Sequence, residues 1–410
     1  MVRKLAPILG ITFVDILGFS ILIPILPFYV THFHASYTMV GVLFATFAFC
    51  SFVAAPLWGN VSDRIGRKTV LIISQIGATI GWAMLAFAPS LLWVFAARVV
   101  EGISGGNISV TQAYVADRVE PEQRSRAFAY VGAAFSAGFV FGPLLGGVLL
   151  QYGYTAPFLL ATGLQVVTLV MTIFWLPEDV ADKAEAGPAA TFGDIFRFLR
   201  DPRVSPILVQ KLAYSLALYG WFAVYALVLK ALLGFGPSQT SFFFAAFGVL
   251  SVFFQLGVVG KISDRLGPKT PRREADPQLG HRKTSNVGFL AACAFFVIVP
   301  FCRNVPTLAL VMPIFSFALS ISNAMLPALL TDAAPERVRG TVLGVGSSLE
   351  SISGVLMPPL TTTVLAIYGP AWTAAIPAFF CFIALALGIA AQRREAALPS
   401  GAGGVAAGDR

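Results

Sequence analysis

Long apolar runs separated by short polar segments set the rhythm of this chain. Runs at 7–30, 38–58, 70–88, 92–115, 127–150, 156–176, 206–232, 239–259, 286–303, 307–330, 341–366 and 372–391 each approach the length of about 20 residues that a helix needs to cross a bilayer. The pattern predicts an all-α membrane protein with about twelve transmembrane helices, because a helix satisfies its backbone hydrogen bonds internally in lipid. An even number of spans puts both chain ends on one side. The first run is too long for a signal-peptide core and lacks a small-residue cleavage site, so it reads as the first span.

The polar segments are not equivalent. Arg3 and Lys4, then Arg64, Arg67 and Lys68, then Arg118, Arg124 and Arg126, then Lys183, Arg197, Arg200 and Arg203 fall in every second segment. So do the basic residues from Lys261 to Lys283, Arg337 and Arg339, and Arg393 and Arg394. The alternate segments carry almost none, Arg303 being the main exception. This asymmetry predicts that the basic segments and both termini are cytoplasmic, in a cell inner (plasma) membrane.

Composition agrees. The 410 residues are 57% hydrophobic and only 12% charged, too little charge to cover a water-soluble fold of this size. The net charge of +8 is dealt out by loop, as a topology signal, and predicts no nucleic-acid partner. Cys50, Cys293, Cys302 and Cys381 lie in or beside apolar runs without CxxC spacing, and the three histidines show no ligand pattern, so neither a disulfide framework nor a metal site is expected.

The longest break, with the polar stretch EDVADKAEAGPAA, divides the chain into two halves. The expected organisation is a six-helix bundle over 1–176, a cytoplasmic linker over 177–204, a second six-helix bundle over 205–393, and a disordered Gly/Ala-rich tail over 394–410. The halves echo each other. Gly59, Asp63 and Gly66 recur as Gly260, Asp264 and Gly267, 201 positions later. Arg67, Lys68 and Thr69 recur as Arg282, Lys283 and Thr284, Asp117 as Asp332, and Pro143 as Pro358, all 215 positions later. The change of offset localises a polar insertion near 268–280, which loop-closure entropy tolerates cheaply.

Ionisable groups inside spans are costly and mark cavities or partners. They are Asp15 in the first span, Arg98 and Glu101 in the fourth, and Glu350 in the eleventh; of these the carboxylates Asp15, Glu101 and Glu350 are the candidates for proton handling. Lys211 and Lys230 lie nearer the ends of the seventh span and read as snorkelling residues. Arg98, Glu101, Gly105, Ile108 and Gln112 form one helical stripe suited to a water-lined cavity; Glu101 either adds a protonatable carboxylate or simply pairs with Arg98. Gln210, Tyr214, Trp221 and Tyr225 recur at near-helical spacing and suit either a solute pocket or packing. Asn107, Gln255 and Asn323 are further polar cavity candidates. Gly138, Gly142 and Gly146 share one face of the fifth span and allow close helix approach, with Pro143 favouring a bend. The segment after the second span, GNVSDRIGRKT, has Gly59 and Gly66 for a tight reversal, Asp63 to meet a helix end or an arginine, and Arg64, Arg67 and Lys68 for an anionic membrane face.

These residues resemble the major facilitator superfamily, in particular its twelve-helix drug/proton antiporter branch with the bacterial tetracycline exporters. GNVSDRIGRK is similar to that family's G-x-L-A-D-R-x-G-R-[KR] segment, departing at Asn60 to Ser62. GFVFGPLLGG, with Gly138, Gly142, Pro143, Gly146 and Gly147, is similar to its antiporter signature G-x-x-x-G-P-x-x-G-G. Asp15 and Pro24 match D-x8-P, and RVVEG at 98–102 matches R-x-x-Q-G with Glu101 in the Gln place, a match that implies a part for Arg98 in proton coupling. The resemblance implies two pseudo-symmetric six-helix bundles that rock about a midplane site. It implies a conformational gate of Gly59, Asp63, Arg64, Gly66, Arg67 and Lys68 with Asp117, Arg118 and Arg124, and Asp264 in the repeat. It further implies a monomeric secondary antiporter for a drug-like or metabolite solute, driven by the proton gradient and needing no cofactor. A facilitator or symporter for a sugar or organic acid is the alternative within the class. A non-transporting membrane sensor would show a sizeable soluble domain, and a membrane enzyme or self-contained ATP-driven pump would show a catalytic cluster or P-loop; none is visible in the sequence.

Overall fold

A computed structural model of the chain describes residues 2–105, 114–115, 121–176, 192–259, 261–262, 265, 278–335 and 338–397. Thirteen α-helices and no strands occur among them: α1 Val2–His32, α2 Tyr37–Ile65, α3 Arg67–Ala86, α4 Leu91–Ser104, α5 Pro121–Leu149, α6 Thr155–Trp175, α7 Phe192–Leu199, α8 Ser205–Leu233, α9 Pro237–Phe254, α10 Gln278–Ile298, α11 Val305–Ala333, α12 Arg339–Tyr368 and α13 Pro370–Ala397. Eleven helices are long and apolar enough to cross a membrane. The fourth expected span begins on α4 and continues into positions outside the described residues.

The helices overrun the apolar runs that announced them. The helix that carries the ninth span starts at Gln278 rather than 286, and α13 runs to Ala397, into the expected tail. Hydropathy marks the part of a helix inside lipid; the backbone hydrogen bonds continue until a cap or breaker stops them. Ser36 caps α2 by accepting from the Met39 amide, and Asn304 caps α11 by accepting from Thr307. The expected linker also contains α7, whose Ile195 and Phe198 pack under α8 and α12.

Packing repeats between the halves. In the first, α1 packs on α5 and α6, α3 on α4 and α6, and α2 on α4. In the second, α8 packs on α12 and α13, α10 on α11 and α13, and α9 on α11. The two most extensive contacts between the halves, α2 with α12 and α5 with α9, exchange under the same relation, and α1 meets α8 on the axis. This is a pseudo-twofold pair of six-helix bundles. The second bundle is welded by an aromatic cluster in which Trp221 sits edge-on to Phe295 and Phe296, and Phe295 stacks on Phe315 at 4.6 Å.

Candidate functional site

Among the described residues, the two bundles meet closely at one end of the seam between them. Because α1 runs away from the N-terminus and α2 returns, positions along each helix can be assigned to the terminus-bearing end or the far end. At the far end Gly41 of α2 lies against Pro358 and Thr362 of α12; its missing side chain is what lets the helices touch, and the Pro358 carbonyl carbon is 2.7 Å from where a Cβ would stand. The Thr38 and Thr363 hydroxyls are 3.2 Å apart across the same contact. On the opposite flank Gly147 of α5 packs on Ser241 and Phe242 of α9, and Phe139 meets Phe244 with ring centres 5.5 Å apart. Toward the terminus-bearing end, a Cβ added at Gly132, Gly257 or Gly340 meets nothing within 4 Å among the described residues.

Two to three turns from the far-end contact, toward the terminus-bearing end of α8 and α12, lies an ion pair. Lys211 Nζ on α8 donates to Glu350 Oε1 on α12 at 2.5 Å. Gly354, one turn beyond Glu350, carries the Tyr219 ring of α8 at 3.3 Å and Ala48 of α2 at 3.2 Å from the position of an added Cβ. Tyr219 is 37% exposed there and close enough to Glu350 to interact electrostatically. In the first bundle Asp15 of α1 is partly exposed and accepts a 3.1 Å hydrogen bond from Gln165 Nε2 of α6.

Two expectations change here. Lys211 does not snorkel to an end of its helix; its stem is buried against Gly346 and its ammonium serves Glu350. An ammonium deep in a bundle is held by a nearby carboxylate more readily than by distant headgroups. Neither Lys211 as a partner nor Tyr219 was singled out by sequence; the only signal was an ionisable residue in each of the seventh and eleventh spans, Lys211 and Glu350. Arg98 and Glu101 do not line water. They form an ion pair with side chains 2% and 5% exposed, and the Arg98 guanidinium lies over the Phe47 and Trp82 rings at 5.5 and 5.8 Å. Gly81 of α3 makes room for the Glu101 stem, and Gly102 faces Cys50 and Phe47 of α2. A buried pair with aromatic cover keeps its charges out of lipid without solvent.

The glycine motif of α5 serves two contacts. Gly138 and Gly142 bring the α5 backbone onto that of α1, within 2.7 Å of Phe13 O for a Cβ added at Gly138, and Gly146 meets Ile21 and Ile25. Gly147 faces the other bundle, and Pro143 is buried within the helix. In the basic segment Gly66 alone makes the reversal, as the single residue between α2 and α3 with φ 94°; Gly59 lies inside α2. Arg67 donates to Ser62 Oγ at 2.6 Å, Arg64 is exposed and Lys68 partly buried. Asp63 stands near the end of α2 and Arg124 in the first turn of α5. Asp117, Arg118, Asp264, Asn107 and Gln112 lie outside the described residues.

The aromatic and amide candidates of α8 turn into the second bundle, not to the seam. Gln210 donates to Ala384 O of α13 at 2.9 Å, Tyr214 lies against Phe289, and Trp221 and Tyr225 are buried in the aromatic cluster. Gln255, in a π-helical turn after α9, and Asn323 on α11 are exposed.

A profile of the Major Facilitator Superfamily matches residues 8–273 and 276–408. The chain belongs to the major facilitator superfamily. It is a multi-pass membrane transporter built from paired six-helix bundles. The chain is 29% identical to the class B tetracycline resistance protein of Escherichia coli over 394 residues, covering 92% of this chain and 93% of that protein. It is 27% identical to multidrug resistance protein 2 of Bacillus subtilis over 266 residues, covering 63% and 66%. The human organic anion transporter MFSD10 has the same major facilitator fold, with TM-score 0.71, 22% identity and coverage of 94% and 99%. So does a bacterial homologue of the lysosomal transporter Spinster in an inward-facing, unoccupied conformation, with TM-score 0.75, 16% identity and coverage of 95% and 96%.

Proposed function

We propose that this chain is a proton-coupled antiporter that exports a drug-like or metabolite small molecule by alternating access, as a monomer in a bacterial inner membrane with both termini cytoplasmic. The observation that carries the reading is the far-end contact between the bundles together with carboxylates, Asp15 and Glu350, held inside the spans. Glu350 lies on α12, two turns from the Pro358 contact with α2, and Asp15 lies on α1 against Gln165. A carboxylate reached from one side at a time can load a proton on one face and release it on the other, because its proton affinity follows its surroundings. Kinship with tetracycline and multidrug resistance proteins supports outward movement of a drug-like solute. The proton gradient supplies the energy and no cofactor is required. The units are a first bundle over 1–176, a linker over 177–204 and a second bundle over 205–393; the basic segment from Gly59 to Lys68 acts as the inner gate.

The test is accumulation of tetracycline and of ethidium in cells overproducing the chain, beside cells producing Asp15→Asn. Lower accumulation with the unaltered chain, restored by dissipating the proton gradient and lost in Asp15→Asn, is expected. Unchanged accumulation of every compound tried would remove export from the reading.

A further inference from the structure

We propose that Lys211 is the built-in counter-charge of Glu350, so that α8 and α12 together form a proton site that is electroneutral when the carboxylate is ionised and singly positive when it is protonated. The inference rests on the proton coupling proposed above and assigns a positioning residue to it.

The pair is asymmetric. The Lys211 side chain is 11% exposed and that of Glu350 37%. Water or solute entering the seam therefore meets the carboxylate, while the ammonium stays walled in. The wall is shaped for the lysine: its Cε and Cδ lie 2.9 and 3.2 Å from where a Cβ on Gly346 would stand, one turn before Glu350. Any larger residue at 346 would push the ammonium off its partner. Among the described residues, Lys211 and Tyr219 of α8 lie against Glu350. On α2, Cys50 turns to Gly102; on α7, Arg197 lies over Phe198; on α11, Asp332 is held by His281 at 2.9 Å.

The chemistry follows from the burial. A proton arriving from water in the open seam bonds to a Glu350 oxygen and cancels its charge. The Lys211 ammonium is then left inside the bundle without a counter-charge, a state that a low-dielectric interior disfavours. Protonation thus loosens the tie between α8 and α12 one turn from where Gly354 packs against Tyr219 of α8 and Ala48 of α2. Removing the Glu350 charge alone strands the buried ammonium, and removing Lys211 alone leaves the carboxylate without its counter-charge, whereas removing both leaves a neutral seam.

The experiment is a double-substitution cycle on the purified full-length protein. Lys211→Met, Glu350→Gln, the double variant and the exchange Lys211→Glu/Glu350→Lys are compared by Tm at pH 7. Each single change should lower Tm by about 5 °C or more, the double variant should lose less than the two singles combined, and the exchange should recover most of the loss. Additive losses with no recovery in the exchange would overturn the pairing. In energised membrane vesicles with tetracycline as probe, Lys211→Met should displace the pH profile of transport while Lys211→Arg keeps it. A wild-type pH profile in Lys211→Met would overturn the role of Lys211. Absence of any proton-driven tetracycline movement in the unaltered chain would instead strike the antiporter reading, and the Tm cycle would still decide the pairing.

Discussion

Gly41 is the sharpest lever on the far-end closure. Replacing it with alanine places a methyl group against Thr362 Oγ1 and the Pro358 carbonyl, and the carbonyl carbon is only 2.7 Å away. Most of the obstruction is α12 backbone, so no rotamer change relieves it, and α2 and α12 must separate by roughly 1 Å to regain ordinary contact distance. Overpacking of this kind costs about 1–3 kcal/mol. The cost applies only while the far end is shut, since the methyl faces open space once the bundles part there. It therefore shifts the balance of the two states by roughly 5- to 150-fold toward the state open at the far end. Thr363→Cys, with the native cysteines Cys50, Cys293, Cys302 and Cys381 replaced, reports the opening through its reaction with a membrane-impermeant maleimide added from the far side. Its labelling should accelerate about fivefold or more in Gly41→Ala. Gly163→Ala is the control, because an added Cβ there meets nothing within 4 Å. Equal labelling in folded, membrane-inserted Gly41→Ala and in the control would refute the reasoning.

Gly142→Ala should act differently from Gly41→Ala. It drives a methyl against Ser20 and the Leu17 carbonyl within one bundle, so it should destabilise both states alike, by about 1–3 kcal/mol, and lower the Tm of the purified protein without accelerating far-side labelling. Arg98→Ala leaves Glu101 buried at 5% exposure without its partner and should cost about 3–5 kcal/mol in stability. The double change Arg98→Met/Glu101→Met should cost less than Arg98→Ala in a thermal unfolding assay, because no charge is then stranded.

Hydropathy alone carried the span count, since lipid thickness sets helix length and the repeat offsets set the halves. Boundaries were less legible: α10 and α13 overrun their apolar runs because backbone hydrogen bonding extends beyond the lipid. Charges inside spans were visible as sites, but their partners were not. Lys211 and Glu350 are 139 positions apart, and only the packing of α8 on α12 joins them. Arg98 and Glu101 looked like a cavity stripe because helical spacing fixes a shared face and says nothing about which neighbour covers it; Phe47 and Trp82 supply that cover from two other helices. In the same way Gly66 was readable as the reversal, whereas Gly59 is helical because the turn needs only one residue of positive φ.

The most direct measurement is proton movement during solute movement. Purified protein is reconstituted in proteoliposomes with a pH-sensitive dye inside, and a gradient of the compound selected by the accumulation screen is imposed. Proton-coupled exchange through a seam that opens at alternate ends predicts protons moving opposite to the solute, with the signal lost in Asp15→Asn/Glu350→Gln. Solute movement without proton movement, or both moving in the same direction, would contradict it.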